Sequence, residues 1–289
     1  MNQSITFEVN FKEHLYFAIR AIVSIILYVL IILGVAAIFM SETTIPIEVY
    51  GMAVYIGLFL LYLFFRFGVL IGYLKGNAVK VTPYQFPDIY DIVERQSRAL
   101  GLSSIPDVYI LQYGGFLNAF ATRFLGSNYI VLFSEVVESA YEEDKKLLDF
   151  IVGHELGHLK RKHLVKKLFL FPSYLVPFLG AAYSRACEYT CDNIGYALCP
   201  EGARNGLMLI ASGRKLFKKV NTAEYVKQNE IEGGFWNWFA EKVSSHPHLT
   251  KRIGKFKESL SDKVKITKMD EASVVEKPVT DDHSKYMPK

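Results

Sequence analysis

Two long apolar runs near the N-terminus constrain this chain more than any other feature. Ala21 to Met40 is twenty residues without a charge, and at 1.5 Å per residue such a helix spans a hydrocarbon core of about 30 Å. Val49 to Phe65 is also uncharged, meets Arg66, and continues apolar to Leu74. Arg66 can lay its stem along lipid and carry its head to the phosphates. A cleaved signal peptide would have a shorter apolar core and no second span. The pair predicts an anchor over residues 1–80 with two transmembrane helices, at about 21–40 and 49–74.

Charge sets the expected orientation. The connector Ser41 to Glu48 holds Glu42 and Glu48 but no Lys or Arg, whereas Lys12 and Arg20 precede the first span and Lys75 and Lys80 follow the second. The positive-inside bias then puts both termini and everything after about residue 75 in the cytoplasm, the arrangement of a bacterial inner-membrane protein. Three cysteines are too few for a disulfide scaffold and suit a reducing compartment. A net charge of +4 gives no argument for a nucleic-acid partner, and 51% apolar content excludes disorder.

Leu168 to Tyr183 is a third apolar stretch, interrupted by Pro172 and Pro177 and flanked by Lys166, Lys167 and Arg185. It falls short of the roughly 20 residues a crossing needs, so it is read as re-entrant, interfacial or buried in protein. Around it the pattern is α+β and mainly helical. A helix is expected from Pro87 to Leu100, closed by Gly101. Three short strands follow, at Asp107–Gln112, Phe116–Phe124 and Asn128–Phe133, with turns at Gly114-Gly115 and Gly126-Ser127-Asn128. Ser134 and Asp144 are candidate helix caps. Further helices are expected from Ser184 to Leu198 and after Pro200. Asn221 to Gly234 reads as a loop or lid, and 262–289 as a disordered tail.

The chemistry sits in His154-Glu155-Leu156-Gly157-His158. Residues four apart share a helix face, so the two imidazoles can meet one Zn²⁺ while Glu155 serves as general base. A catalytic site needs a third protein ligand. Glu188 supplies it in this reading, with Asp192 one turn on accepting a hydrogen bond from a ligand imidazole. Because His158 and Glu188 must reach the same ion, Leu168 to Tyr183 cannot cross the membrane once.

These motifs resemble the integral-membrane zinc metalloproteases of the HtpX and type I CAAX prenyl protease family, which are gluzincins. The resemblance covers roughly Pro87 to Ile253 and includes Asn118-Ala119-Phe120-Ala121, the His-Glu-x-x-His helix, Ser184-Arg185 with Glu188 and Asp192, and Ser245-His246-Pro247 followed by Arg252. It implies a zincin domain over 81–261 with a small three-stranded sheet and one Zn²⁺ per chain. It further implies substrate binding along Asn118, Ala119 and Phe120, oxyanion stabilisation by His246, and a motif role for Arg252, grouped here with the substrate-binding residues.

Two departures separate this chain from parts of that family. The connector between the histidines and Glu188 is too short for two further spans, and two spans cannot wall a chamber for prenylated peptides. An HtpX-like enzyme cutting misfolded or membrane proteins at their cytoplasmic faces fits better, with polypeptides and the bilayer as partners and no nucleic acid. The rivals are a zinc-fold adaptor that has lost catalysis, an intramembrane protease and a transporter. Lys160-Arg161-Lys162-His163 with Lys166-Lys167 reads as a headgroup-binding cluster. Cys187, Cys191 and Cys199 read as half-buried thiols, and Trp236, Trp238 and Phe239 as core or interfacial anchor.

Overall fold

The computed structural model describes residues 5–40, 46–113 and 118–256. Most of the expected connector, the Gly114-Gly115 turn and the tail 262–289 lie outside them. Helices α1 (Phe11–Met40) and α2 (Ile47–Asn77) are each long and apolar enough to cross a membrane. Both exceed the spans read from hydropathy. The added turns of α1 carry Glu13 and Arg20, and both side chains are buried against protein.

Arg20 is therefore not a headgroup-facing charge. Its guanidinium donates to Ser173 Oγ (2.7 Å) and the Leu170 carbonyl (3.0 Å) and lies over the rings of Tyr174 and Tyr183. The residues ahead of α1 join the domain as well. Ile5 and Phe7 pack on the main core, and Asn193 donates to the Glu8 carbonyl. The anchor expected at 1–80 thus includes an N-terminal arm built into the domain it carries.

Four strands form one sheet, β1 (Val79–Lys80), β2 (Asp107–Leu111), β3 (Ala119–Phe124) and β4 (Ser127–Phe133), in the order β1-β2-β4-β3. The three expected strands are present, joined by the two-residue β1 where the chain leaves α2. β3 and β4 form a hairpin whose two-residue loop, Leu125-Gly126, has positive φ at both positions (47° and 88°), as a tight hairpin of matching twist demands. β2 runs parallel to β4. Among the described residues no strand lies outside β3, so β3 is an edge.

Alternation along these strands fills two faces. Val108, Ile110, Ile130 and Leu132 enter the main core, while Tyr109, Leu111, Tyr129, Val131 and Phe133 meet Ile71 and Leu74 of α2. The C-terminal end of α2 thus roofs the sheet.

On the main-core side lie α3 (Pro87–Ala99), α4 (Ser134–Glu142) and α5 (Lys145–Lys160). Asp144 caps α5 as expected, accepting from the Lys146 N–H at 3.0 Å. Ser134 does not cap α4, because the hydroxyl meets the Glu135 carboxylate instead.

After α5, Lys162 turns the chain in the left-handed region (φ 53°) into α6 (His163–Phe169). A 3₁₀ turn at Phe171–Leu175 follows, and then α7 (Leu179–Leu198). The third apolar stretch therefore doubles back along α1: Leu170, Ser173 and Tyr183 are buried, and Leu168, Phe171 and Leu175 are exposed. Helix α7 begins five residues earlier than expected, since Pro177 lies just ahead of its start.

Four helices complete the domain, α8 (Pro200–Ser212), α9 (Thr222–Ile231), α10 (Phe235–Val243) and α11 (Leu249–Gly254). The expected loop at 221–234 is in fact mostly α9, nucleated by Asn221, whose side chain accepts from the N–H groups of Ala223 and Glu224. All three cysteines are buried rather than half-buried, and burial pushes the Cys187 thiol up to about 12.

The contact that orders the domain is the crossing of α5 and α7. At Gly153 a Cβ would stand 3.1 Å from Gly195 Cα, and at Gly195 it would stand 2.9 Å from the Phe150 carbonyl oxygen. Glycine on both helices lets the backbones approach where any side chain would wedge them apart. Gly195→Ala is expected to cost about 1–3 kcal/mol by overpacking, measured as a lower Tm. Gly72→Ala, where a Cβ meets nothing within 4 Å, should leave the Tm unchanged.

Candidate active site

Close packing of α5 on α7 carries one carboxylate between two imidazoles. His154 and His158 lie one turn apart on α5, and their Nε2 atoms stand 3.4 Å from Glu188 Oε2 and Oε1 respectively. His154 and Glu188 are almost fully buried. One ligand atom from each of the three residues falls within 4.8 Å of the other two, close enough to share a cation.

Hydrogen-bond directions orient both rings. Asp192, one turn beyond Glu188, accepts from His154 Nδ1 at 3.0 Å. The Asp192 carboxylate is gripped from behind by Arg252, through Nε to Oδ2 (2.8 Å) and Nη2 to Oδ1 (2.6 Å). Arg252 keeps Asp192 ionised even though burial opposes it. Burial also disfavours charge on His154, but hydrogen bonds to Asp192 and Glu188 raise it to about 10.

His158 is held by a longer chain. Arg161 donates to Glu13 Oε1 through both Nε (3.0 Å) and Nη2 (2.9 Å), so the Glu13 carboxylate can only accept. His163 Nε2, 3.3 Å from that oxygen, must then carry the hydrogen. Burial lowers the His163 pKa to about 4, so the ring is neutral and its Nδ1 is a lone pair. His158 Nδ1 lies 3.0 Å from it and donates, leaving His158 Nε2 free to face Glu188. Glu13 of α1 thus fixes the tautomer of His158 through one intervening ring.

The basic cluster is corrected by the same contacts. Arg161 and Lys166 pair with Glu13 and His163 is buried, so half of the expected headgroup-binding set faces inward.

A cavity of about 450 Å³ opens over the cluster, lined by Asn118 to Ala121, His154, Glu155, His158, Glu188, His246 and Arg252 among others. The edge strand β3 forms one wall. Asn118 lies just before β3, and its carbonyl accepts from the Phe133 N–H (3.1 Å), extending the pairing. Glu155 is nearly buried on α5. His246 stands at the mouth, 3.5 Å from Glu188 Oε1 through Nε2, with its ring largely exposed. Its segment is fastened by Arg185, whose Nη1 donates to the carbonyls of Glu241, Lys242 and Ser244. Arg252, grouped with the substrate-binding residues on sequence, also lines the cavity, and its buried guanidinium grips Asp192 and stands 3.5 Å from Glu188 Oε2.

Sequence reasoning missed Glu13 and His163. His163 follows His158 by five residues, off the helix-face spacing that drew attention to His154, and reaches it only because Lys162 turns the chain. Glu13 carries no local signal at all. Asp192→Asn and His163→Leu each remove an orienting partner, and each should weaken metal affinity by about 10–100-fold with the fold retained. Competition against a chromophoric chelator checks this.

The profile of peptidase family M48 matches residues 83–176 and 168–260. A search among curated proteins finds no match. Among solved structures, the crystal structure of S. mikatae Ste24p is similar at 16% identity and a TM-score of 0.46, over 71% of this chain and 57% of that chain. The chain therefore spans less than two thirds of that structure. The family match runs from residue 83 to residue 260, more than half of the 289 residues, and the chain belongs to peptidase family M48.

Proposed function

We propose that this chain is a membrane-anchored, zinc-dependent endopeptidase that hydrolyses peptide bonds in polypeptides, including misfolded or membrane proteins, at the cytoplasmic face. The observation that carries the reading is the buried Glu188 carboxylate set between the Nε2 atoms of His154 and His158. Two imidazoles and a carboxylate form a donor set suited to zinc with a position left open.

His154, His158 and Glu188 would hold the ion, and zinc so held would polarise a scissile carbonyl and acidify a water molecule. The chain's own residues supply the rest. Glu155, on the cavity wall, takes the proton of the attacking water and delivers it to the leaving amine. The free edge of β3 offers backbone N–H and C=O groups to an extended substrate, which gives affinity with little dependence on side chains. His246 at the mouth is placed to donate to the oxyanion. Arg252 acts as a positioning residue, holding Asp192 against His154.

The cytoplasmic placement rests on the charge around the two apolar helices. The arm of residues 5–20, folded into the domain, supports a reading in which the start of α1 lies on the same side as the site. A catalytically silent adaptor is the second reading. Glu155 favours the enzyme, because a scaffold needs the ligands but not the base.

Glu155→Gln should retain one zinc per chain and lose casein-cleaving activity by about 10²–10⁴-fold. Metal analysis beside a chelator-sensitive assay checks both. Full activity in that variant would overturn the role given to Glu155.

A further inference from the structure

An aromatic surface beside α1 has no cover among the described residues. Helix α10 has no buried residue, although four of its first five side chains are aromatic; Trp236 is 77% exposed. The 3₁₀ turn and its approaches are similarly bare, with Leu175 77% and Phe171 64% exposed. The two regions touch where Phe178 meets Phe239 edge-on, ring centroids 6.1 Å apart. A continuous apolar patch of this kind marks an interaction surface.

Contacts to α1 give the surface a depth. Lys166 pairs with Glu13 and lies over the Phe17 ring, at the polar end of the helix. Further along, Arg20 holds Leu170 and Ser173, and the Tyr28 hydroxyl donates to the Phe169 carbonyl at 3.1 Å. Arg20 and Tyr28 are eight residues apart, about 12 Å of helix axis. The chain from the end of α6 into the turn therefore lies along the stretch of α1 between Arg20 and Tyr28. If α1 crosses a bilayer, the turn enters the same leaflet.

Charge fits that placement. No acidic residue occurs between Leu168 and Ser184, and Lys166, Lys167 and Lys242 flank the exposed segments in sequence. Lys242 reaches back over the Trp238 ring at 5.7 Å. Tryptophan with a lysine collar is the composition of a membrane–water boundary.

We propose that the 3₁₀ turn and α10 form a ledge immersed in the headgroup and upper acyl region of the bilayer that α1 crosses. The partner is anionic lipid, held by buried apolar area and by Lys242 at the edge of the patch. Arg185 ties the far end of α10 to the segment bearing His246, so the ledge sets the cavity mouth at the membrane surface. This deepens the proteolytic reading by placing polypeptides at that surface in reach, but the ledge itself needs no catalysis.

The chain has two tryptophans, Trp236 and Trp238, both on α10, so native emission reports the ledge alone. Full-length Glu155→Gln protein is reconstituted into vesicles of neutral and anionic phospholipid, and flotation after an alkaline wash confirms insertion. Lipids brominated near the headgroup end of the acyl chain should remove most of the tryptophan emission. Bromines near the chain end should remove little, and aqueous acrylamide little. Phe171→Asp with Leu175→Asp should restore acrylamide access. Open access to acrylamide without bromolipid quenching would overturn the ledge. Protection from both quenchers would also overturn it and identify a protein cover, such as a second copy of the chain.

Discussion

A buried carboxylate stands between one buried and one half-buried imidazole, and the rest of the domain is arranged around the cost of that placement. Desolvating Glu188, His154 and Asp192 together is unfavourable unless each charge has a partner. Arg252 supplies the balancing cation behind Asp192, and the glycine crossing of α5 on α7 supplies the proximity. Without Gly153 and Gly195 the two helices would stand farther apart, and Glu188 could not meet both rings.

Much of this was legible because the signals are local. The His-Glu-x-x-His spacing places two rings on one face of any helix, and Glu188 with Asp192 repeats that spacing one helix later. The apolar runs announce α1 and α2 by length alone. Asp144 and Gly126 act within a few residues of themselves and were readable for that reason.

The remainder depends on distances along the chain that no periodicity records. Glu13 meets Arg161 and His163 across 148 and 150 residues. A carboxylate ahead of an apolar run looks like a flank in any hydropathy reading. The partner of Arg252 lies 60 residues back, beyond the reach of any local pattern. Residues 221–234 read as a loop by polar composition, yet the Asn221 side chain caps a helix there. The third apolar stretch could be denied a single crossing on parity, but its contact with Arg20 required the fold.

The Glu13 contact has a practical side for anyone wishing to prepare a water-soluble fragment. Removing the first 80 residues looks harmless on a hydropathy plot, yet it deletes the acceptor beneath His163, the cover over one face of the sheet and the companion of the Leu170 turn. Arg161 would be left facing a void, and the His163 ring would be free to rotate. Trimming the apolar middle of α1 while splicing its first three turns back onto the domain, and keeping the end of α2 that bears Ile71 and Leu74, would preserve what the truncation destroys.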